Sequence, residues 1–307
     1  NTNVNTKLIP PKPIIKNMFK KEYTSSFSSL TAQAHHKEFY ENYDFKNINY
    51  EKETELDYEP GLEETLPKGK DIGNILHAAM EEIIFSTAKD TFDNFKKNNI
   101  EIIEKQIQKI NSNLNTIEIQ NSLAKMIYNI LTYNIRAINT RLCDIEELQK
   151  EMEFLIKINP EFQKQKYLFD KHFEDLHIKL SDGYLKGIVD LIFKANNKIY
   201  ILDYKTNYLG KNKEDYNITN LENTIKKEYY DLQYKIYALG IKKILFKNKK
   251  EYNQKFGGII YLFTRAFEDN IECLKSKFEN GIYFNLPKFN DVDLDKIILE
   301  LGIKRHL

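Results

Sequence analysis

Residues 187–207 read GIVDLIFKANNKIYILDYKTN, two short β-rich runs joined at the turn residues Asn196 and Asn197. Each run carries one aspartate among aliphatic and aromatic neighbours, Asp190 in the first and Asp203 in the second, and Lys205 follows Asp203 by two. Side chains alternate along a strand, so Ile199, Ile201, Asp203 and Lys205 share one face and Tyr200, Leu202 and Tyr204 the other. A buried carboxylate without a partner costs several kcal/mol or gives up its charge. Two aspartates in apolar strands therefore call for a cation.

A divalent metal answers that call. Two carboxylates about 4 Å apart repel by roughly 4 kcal/mol at an effective dielectric near 20, and Mg²⁺ between them reverses the sign. Oxygen ligation with open water positions suits Mg²⁺, with Mn²⁺ as a substitute, and such an ion lowers the pKa of bound water and neutralises a phosphodiester under attack. Lys205 suits orienting that water or offsetting charge in the transition state.

Outward from this stretch, "EMEFLIKI" at 151–158, "GYLKGIVDLIF" at 183–193, "KIYILDYK" at 198–205 and "FGGIIYLFTR" at 256–265 predict four strands, with one long helix from about Lys227 to Phe246 between the last two. Upstream, Ile72, Leu76, Ala79, Met80 and Ile83 repeat on one face of a helix opening near Asp71, a suitable N-cap. Ile103, Ile107, Ile110 and Leu114 begin a helical pattern that runs to about Arg141, read as an insertion over about 90–145. Helix, three strands, helix and strand make an α/β or α+β core with a mixed sheet. Residues 1–22 hold three of the seven prolines and no helical period, which predicts a linker before a domain over 23–307.

Forty-six basic and forty-five acidic residues leave a formal charge of +1, which excludes a global electrostatic footprint for nucleic acid and requires any such contact to be local. Cys143 and Cys273 stand too far apart for a CxxC pair, which fits a reducing, cytoplasmic setting. No apolar run is long enough for a membrane span. No G-x-x-x-x-G-K-[ST] occurs, so no ATP site is expected. His35 and His36 are neighbours that share no helical face, and His172, His177 and His306 lack ligand-spaced partners.

An acid-x-Lys triplet alone is weak, as the decoy Asp44-Phe45-Lys46 shows. Two further pairs strengthen it. Gly73 and His77 stand four apart on the first helix, where the glycine is expected to leave open space one turn below the imidazole, and Gln233 and Tyr237 repeat that spacing on the later helix. In order, Gly73-x-x-x-His77, Gly187-Ile-Val-Asp190, Asp203-Tyr-Lys205 and Gln233-x-x-x-Tyr237 resemble the PD-(D/E)xK nuclease superfamily, and within it the C-terminal nuclease domain of the RecB subunit of RecBCD-type helicase–nucleases. The segments "YTSSFSSL", "GNILHAAMEE", "EMEF", "DYKTNYLG" and "FGGIIYLFTR" extend the resemblance over roughly residues 23–290.

The resemblance implies a central mixed sheet flanked by helices. It implies metal ligation by His77, Asp190, Asp203 and the backbone carbonyl of Tyr204, with Lys205 as the catalytic lysine. Gln233 and Tyr237 would line the site with Gly73 and contact DNA, and Glu151 or Glu153 would support the metal shell. It further implies hydrolysis of single-stranded DNA during double-strand-break repair, on nucleoid DNA, beside RecC-like and RecD-like subunits and the helicase part of a parent chain. Two cysteines do not make the four-cysteine Fe–S clamp of some related nucleases. A non-catalytic scaffold and a stand-alone endonuclease are the rival readings.

Overall fold

The computed structural model describes residues 23–28, 66–158, 183–268 and 279–292. The expected linker over 1–22, the decoy triplet, Cys273 and all histidines except His77 lie outside the described residues. In chain order the elements are β1 (Tyr23–Ser26), α1 (Lys70–Glu82), α2 (Phe92–Asn111), α3 (Ile117–Thr132), β2 (Asn134–Ile135), β3 (Thr140–Arg141), β4 (Leu148–Ile158), β5 (Gly183–Ala195), β6 (Lys198–Lys205), α4 (Ile218–Lys227), α5 (Tyr230–Leu245), α6 (Lys249–Lys255), β7 (Phe256–Phe263) and β8 (Ile282–Asn285). Short 3₁₀ turns join several of them.

Six strands form one mixed sheet in the order β1-β5-β6-β7-β8, with β4 on β5. β5 is the hub. Along one edge it pairs antiparallel with β4 from Gly183 to Phe193. Along the other it pairs with β1 over Gly183–Lys186 and with β6 over Leu191–Ala195. Between those two partners the pairing skips residues 187–190, which leaves Asp190 at a gap in the ladder.

Two apolar clusters cover the sheet. One gathers α1, α2 and α3 with Leu191, Phe193, Leu202 and Ile260. The other gathers α5 with Phe154, Val189, Ile201 and Ile259. Val189, Leu191 and Phe193 have the same parity in sequence yet fall in different clusters, and Met152 and Leu148 on β4 do the same. The alternation slips where Glu151 adopts a left-handed φ of 48° in mid-strand. The carboxylates of the site lie at that slip.

Three sequence expectations change. The N-cap position of α1 is Gly69 with no side-chain cap, and Asp71 instead sits in the first turn, where it accepts a hydrogen bond from Asn111 Nδ2 at 2.6 Å. The helical pattern of the insertion ends at Thr132, because β2 and β3 close a small hairpin through the left-handed Asn139. The helix expected from about Lys227 to Phe246 is α5, which starts only at Tyr230, after the left-handed Tyr229, and is preceded by α4, outside that expectation. Strands β4 to β7 otherwise lie where the apolar runs place them.

Arg265, buried at the end of β7, donates to the carbonyls of Leu66 and Pro67 at 3.2 and 2.5 Å. This clamp fixes the chain as it enters α1. The insertion is tied down by Asn129 Nδ2, which donates to the Phe267 carbonyl at 2.8 Å. Cys143 is a buried core thiol.

Candidate active site

Strand register gathers three carboxylates. Leu191 pairs with Leu202 across β5 and β6, so one step further along brings Asp190 level with Asp203. Lys150 and Met152 pair with Leu191 and Val189 across β4 and β5, so Glu151 falls level with Asp190. Directly opposed residues on neighbouring strands have Cβ atoms about 5 Å apart. The result is an acidic row across β4, β5 and β6.

A cleft of about 280 Å³ opens over this row, lined by α1, β4, β5, β6 and α5. His77, Asp190, Asp203, Lys205, Gly73, Gln233, Tyr237 and Glu151 all line it. Glu153 does not. It forms an ion pair with Lys186 at 2.7 Å, so of the two glutamates Glu151 is the one at the cleft.

His77 reaches across the strand ends from α1. Its Nε2 lies 3.1 Å from the Tyr204 carbonyl oxygen and its Nδ1 3.4 Å from Asp190 Oδ2. The backbone N–H of Tyr204 donates to that same Asp190 oxygen at 2.8 Å. One residue of β6 thus engages both groups through its main chain. Ligand atoms of His77, Glu151 and Asp190 lie within 4.8 Å of one another.

Asp203 and Lys205 point to the α5 side. Asp203 Oδ2 is 2.7 Å from Lys205 Nζ, and both side chains are 3% exposed. The ammonium is the partner of Asp203 Oδ2, which is otherwise buried without a hydrogen bond among the described residues. Lys205 Nζ donates to Gln233 Oε1 at 2.8 Å, and Gln233 Nε2 donates to the Tyr237 hydroxyl at 3.0 Å. The Gln233–Tyr237 pair therefore orients the lysine.

Electrostatics separates the three carboxyls. Burial raises the Asp190 pKa, but the His77 charge and hydrogen bond, Lys205 and the Tyr204 N–H outweigh it and hold the group below the ordinary carboxylate range. Burial and the Asp190 charge push Asp203 up to about 7 against the pull of Lys205. Burial, then Asp190, raise Glu151 to about 7 as well. Crowded carboxyls that resist ionising together, an imidazole and the Tyr204 carbonyl form a donor set that fits a hard divalent cation.

One expectation about the cleft is overturned. A Cβ at Gly73 would meet Thr206 Oγ1 at 2.6 Å, so the glycine leaves no open space below His77. It admits the Thr206 hydroxyl instead. Thr206, Lys70, Asn74 and Glu81 also line the cleft and escaped sequence reasoning. The last three share a face with Gly73 and His77 by helical spacing, a signal the sequence did contain.

Residues 48–296 match the family model described as the PD-(D/E)XK nuclease superfamily. The chain is also similar to the RecBCD enzyme subunit RecB of three bacteria. Identity is 35% over 187 residues with that of Buchnera aphidicola subsp. Schizaphis graminum, covering 57% of this chain and 15% of the relative. It is 28% over 235 residues with that of Haemophilus influenzae and 28% over 233 with that of Escherichia coli K12, each covering 72% of this chain and 18% of the relative. The chain thus spans less than a fifth of the length of these relatives. With the acidic row, the buried lysine and a match over most of its length, the chain belongs to the PD-(D/E)XK nuclease superfamily.

Proposed function

We propose that the domain is a Mg²⁺-dependent deoxyribonuclease that hydrolyses phosphodiester bonds of single-stranded DNA, working as the nuclease part of a helicase–nuclease assembly. The observation that carries this reading is the level row of Glu151, Asp190 and Asp203 beside a buried lysine. His77, Asp190, Asp203, Glu151 and the Tyr204 carbonyl would hold the metal, with Mn²⁺ as a substitute. A bound divalent cation supplies Lewis acidity toward the phosphate and a more acidic water.

The remaining work falls to the chain itself. Lys205, oriented by Gln233, offers a fixed positive charge to the pentavalent phosphate, where pre-oriented charge contributes most. Gln233 and Tyr237 line the wall on the α5 side, and Lys70 and Asn74 the wall on the α1 side, where they can contact the sugar–phosphate backbone. The similarity to RecB subunits supports an assembly with RecC-like and RecD-like partners and a helicase region, acting on nucleoid DNA in the cytoplasm.

The test is cleavage of labelled single-stranded DNA with Mg²⁺ and with EDTA, by the wild type, Asp203→Ala and Lys205→Ala. Cutting that needs the metal and falls by at least about 10³-fold in both variants is the expected result. Equal cutting by all three proteins would remove these residues from the reaction. An inert wild type, with the parent assembly inert as well, would leave a scaffold.

A further inference from the structure

Lys205 is 3% exposed at the wall of the cleft, where its ammonium meets Asp203 and Gln233. It also meets two aromatic rings. Its Nζ lies 3.9 Å from the centroid of the Tyr230 ring and 5.1 Å from that of Tyr261. A desolvated ammonium over an aromatic face is held by the ring quadrupole.

The backbone is bent to make this seat. α4 ends at Lys227 and α5 starts at Tyr230, with Tyr229 between them at φ 55° and ψ 28°. Left-handed backbone is a strained state for a bulky residue, and such strain persists only where the surroundings impose it. The Tyr261 hydroxyl holds the residue that follows Tyr229. Level with Asp203 in the β6–β7 register, Tyr261 donates to the Tyr230 carbonyl at 2.7 Å and stands 3.1 Å from Gln233 Oε1, the oxygen that accepts from Lys205. The Tyr230 hydroxyl lies 3.1 Å from Asn207 Oδ1, two residues past the lysine, and anchors the ring from its other end.

We propose that Tyr230 is a positioning residue for the reaction, its ring forming the seat that holds the Lys205 ammonium in line with Asp203 and Gln233. Tyr261 is the tie that keeps the seat in place. The inference rests on Lys205 being the reactive lysine, and a spectroscopic arm separates its failure from a failure of that reading.

The experiment compares Tyr230→Phe, which keeps the ring, with Tyr230→Leu and Tyr230→Met, which remove it, in the 307-residue chain. The first readout is the ¹⁵N-ammonium proton resonance of Lys205, assigned by its loss in Lys205→Arg. It is expected upfield in the wild type and in Tyr230→Phe, and to lose that ring-current shift in Tyr230→Met and Tyr230→Leu. The second is steady-state cleavage. Whichever ring-less variant folds is expected to lose about tenfold or more in kcat, with KM and the Mg²⁺ requirement unchanged, while Tyr230→Phe stays within about twofold. A Lys205 resonance that does not move between ring and no ring overturns the seat. Loss of kcat in Tyr230→Phe as large as in the ring-less variants overturns it too, because the hydroxyl would then be the working part. If neither the wild type nor its parent assembly cuts DNA, the nuclease reading fails and the resonance still decides whether the seat exists.

Discussion

Glu151 occupies a costly position: mid-strand, left-handed at φ 48°, and level with Asp190. Its carboxyl is raised to about 7 by burial and by the Asp190 charge, and Asp203 is raised to about 7 by the same two causes. A carboxyl whose folded pKa exceeds its unfolded value of about 4 binds more protons in the folded state over the whole interval between them. Its stabilising contribution is complete below about pH 4 and is lost as pH rises toward about 7. In EDTA the melting temperature is therefore expected to fall between about pH 5 and 7.5, less steeply in Glu151→Gln, and millimolar Mg²⁺ is expected to flatten the wild-type fall. Thermal denaturation across that pH series checks it, and parallel slopes for the two proteins would mean that Glu151 titrates normally.

At the scale of elements, the position of α5 depends on one ring. Phe154 of β4 lies between Gly187 of β5 and Gly240 of α5, and a Cβ at Gly240 would come within 2.7 Å of the ring while one at Gly187 would run into it. The two glycines let the helix sit close on the sheet, and Phe154 meets Tyr237 edge-on at 6.3 Å. Gly240→Ala is expected to cost about 1–3 kcal/mol by overpacking and to reduce cleavage, since the same helix carries Gln233. Phe154→Leu in the same chain should relieve part of that loss. Chemical denaturation of the two single variants and the double tests this, and strict additivity would show that the three residues do not share one packing site.

For the whole molecule, a formal charge of +1 leaves no net attraction for a polyanion, and the cleft itself sets Glu81, Glu151, Asp190 and Asp203 against Lys70 and Lys205. Grip on DNA must come from a few local phosphate contacts. With about three such contacts on single-stranded DNA, affinity is expected to fall about 20-fold between 50 and 200 mM salt. Fluorescence anisotropy in Ca²⁺ or EDTA measures it without cleavage, and tight binding indifferent to salt would contradict it. Among the described residues no helix is long and apolar enough to cross a membrane.

Sequence by itself determined the strands β4 to β7, the helix carrying His77, and the identity of Asp190, Asp203 and Lys205, because apolar runs and their spacing are local properties that each element keeps wherever it packs. Tertiary structure alone put Glu151 rather than Glu153 at the cleft, set Thr206 against Gly73, and started α5 after a left-handed Tyr229 so that Tyr230 lies under the lysine. Each of these turns on strand register, on a left-handed residue or on a contact between elements distant in sequence. Local propensity disfavours left-handed tyrosine and glutamate, and only the packing of β6, β7 and α5 around one buried ammonium and one acidic row makes those conformations the favoured ones.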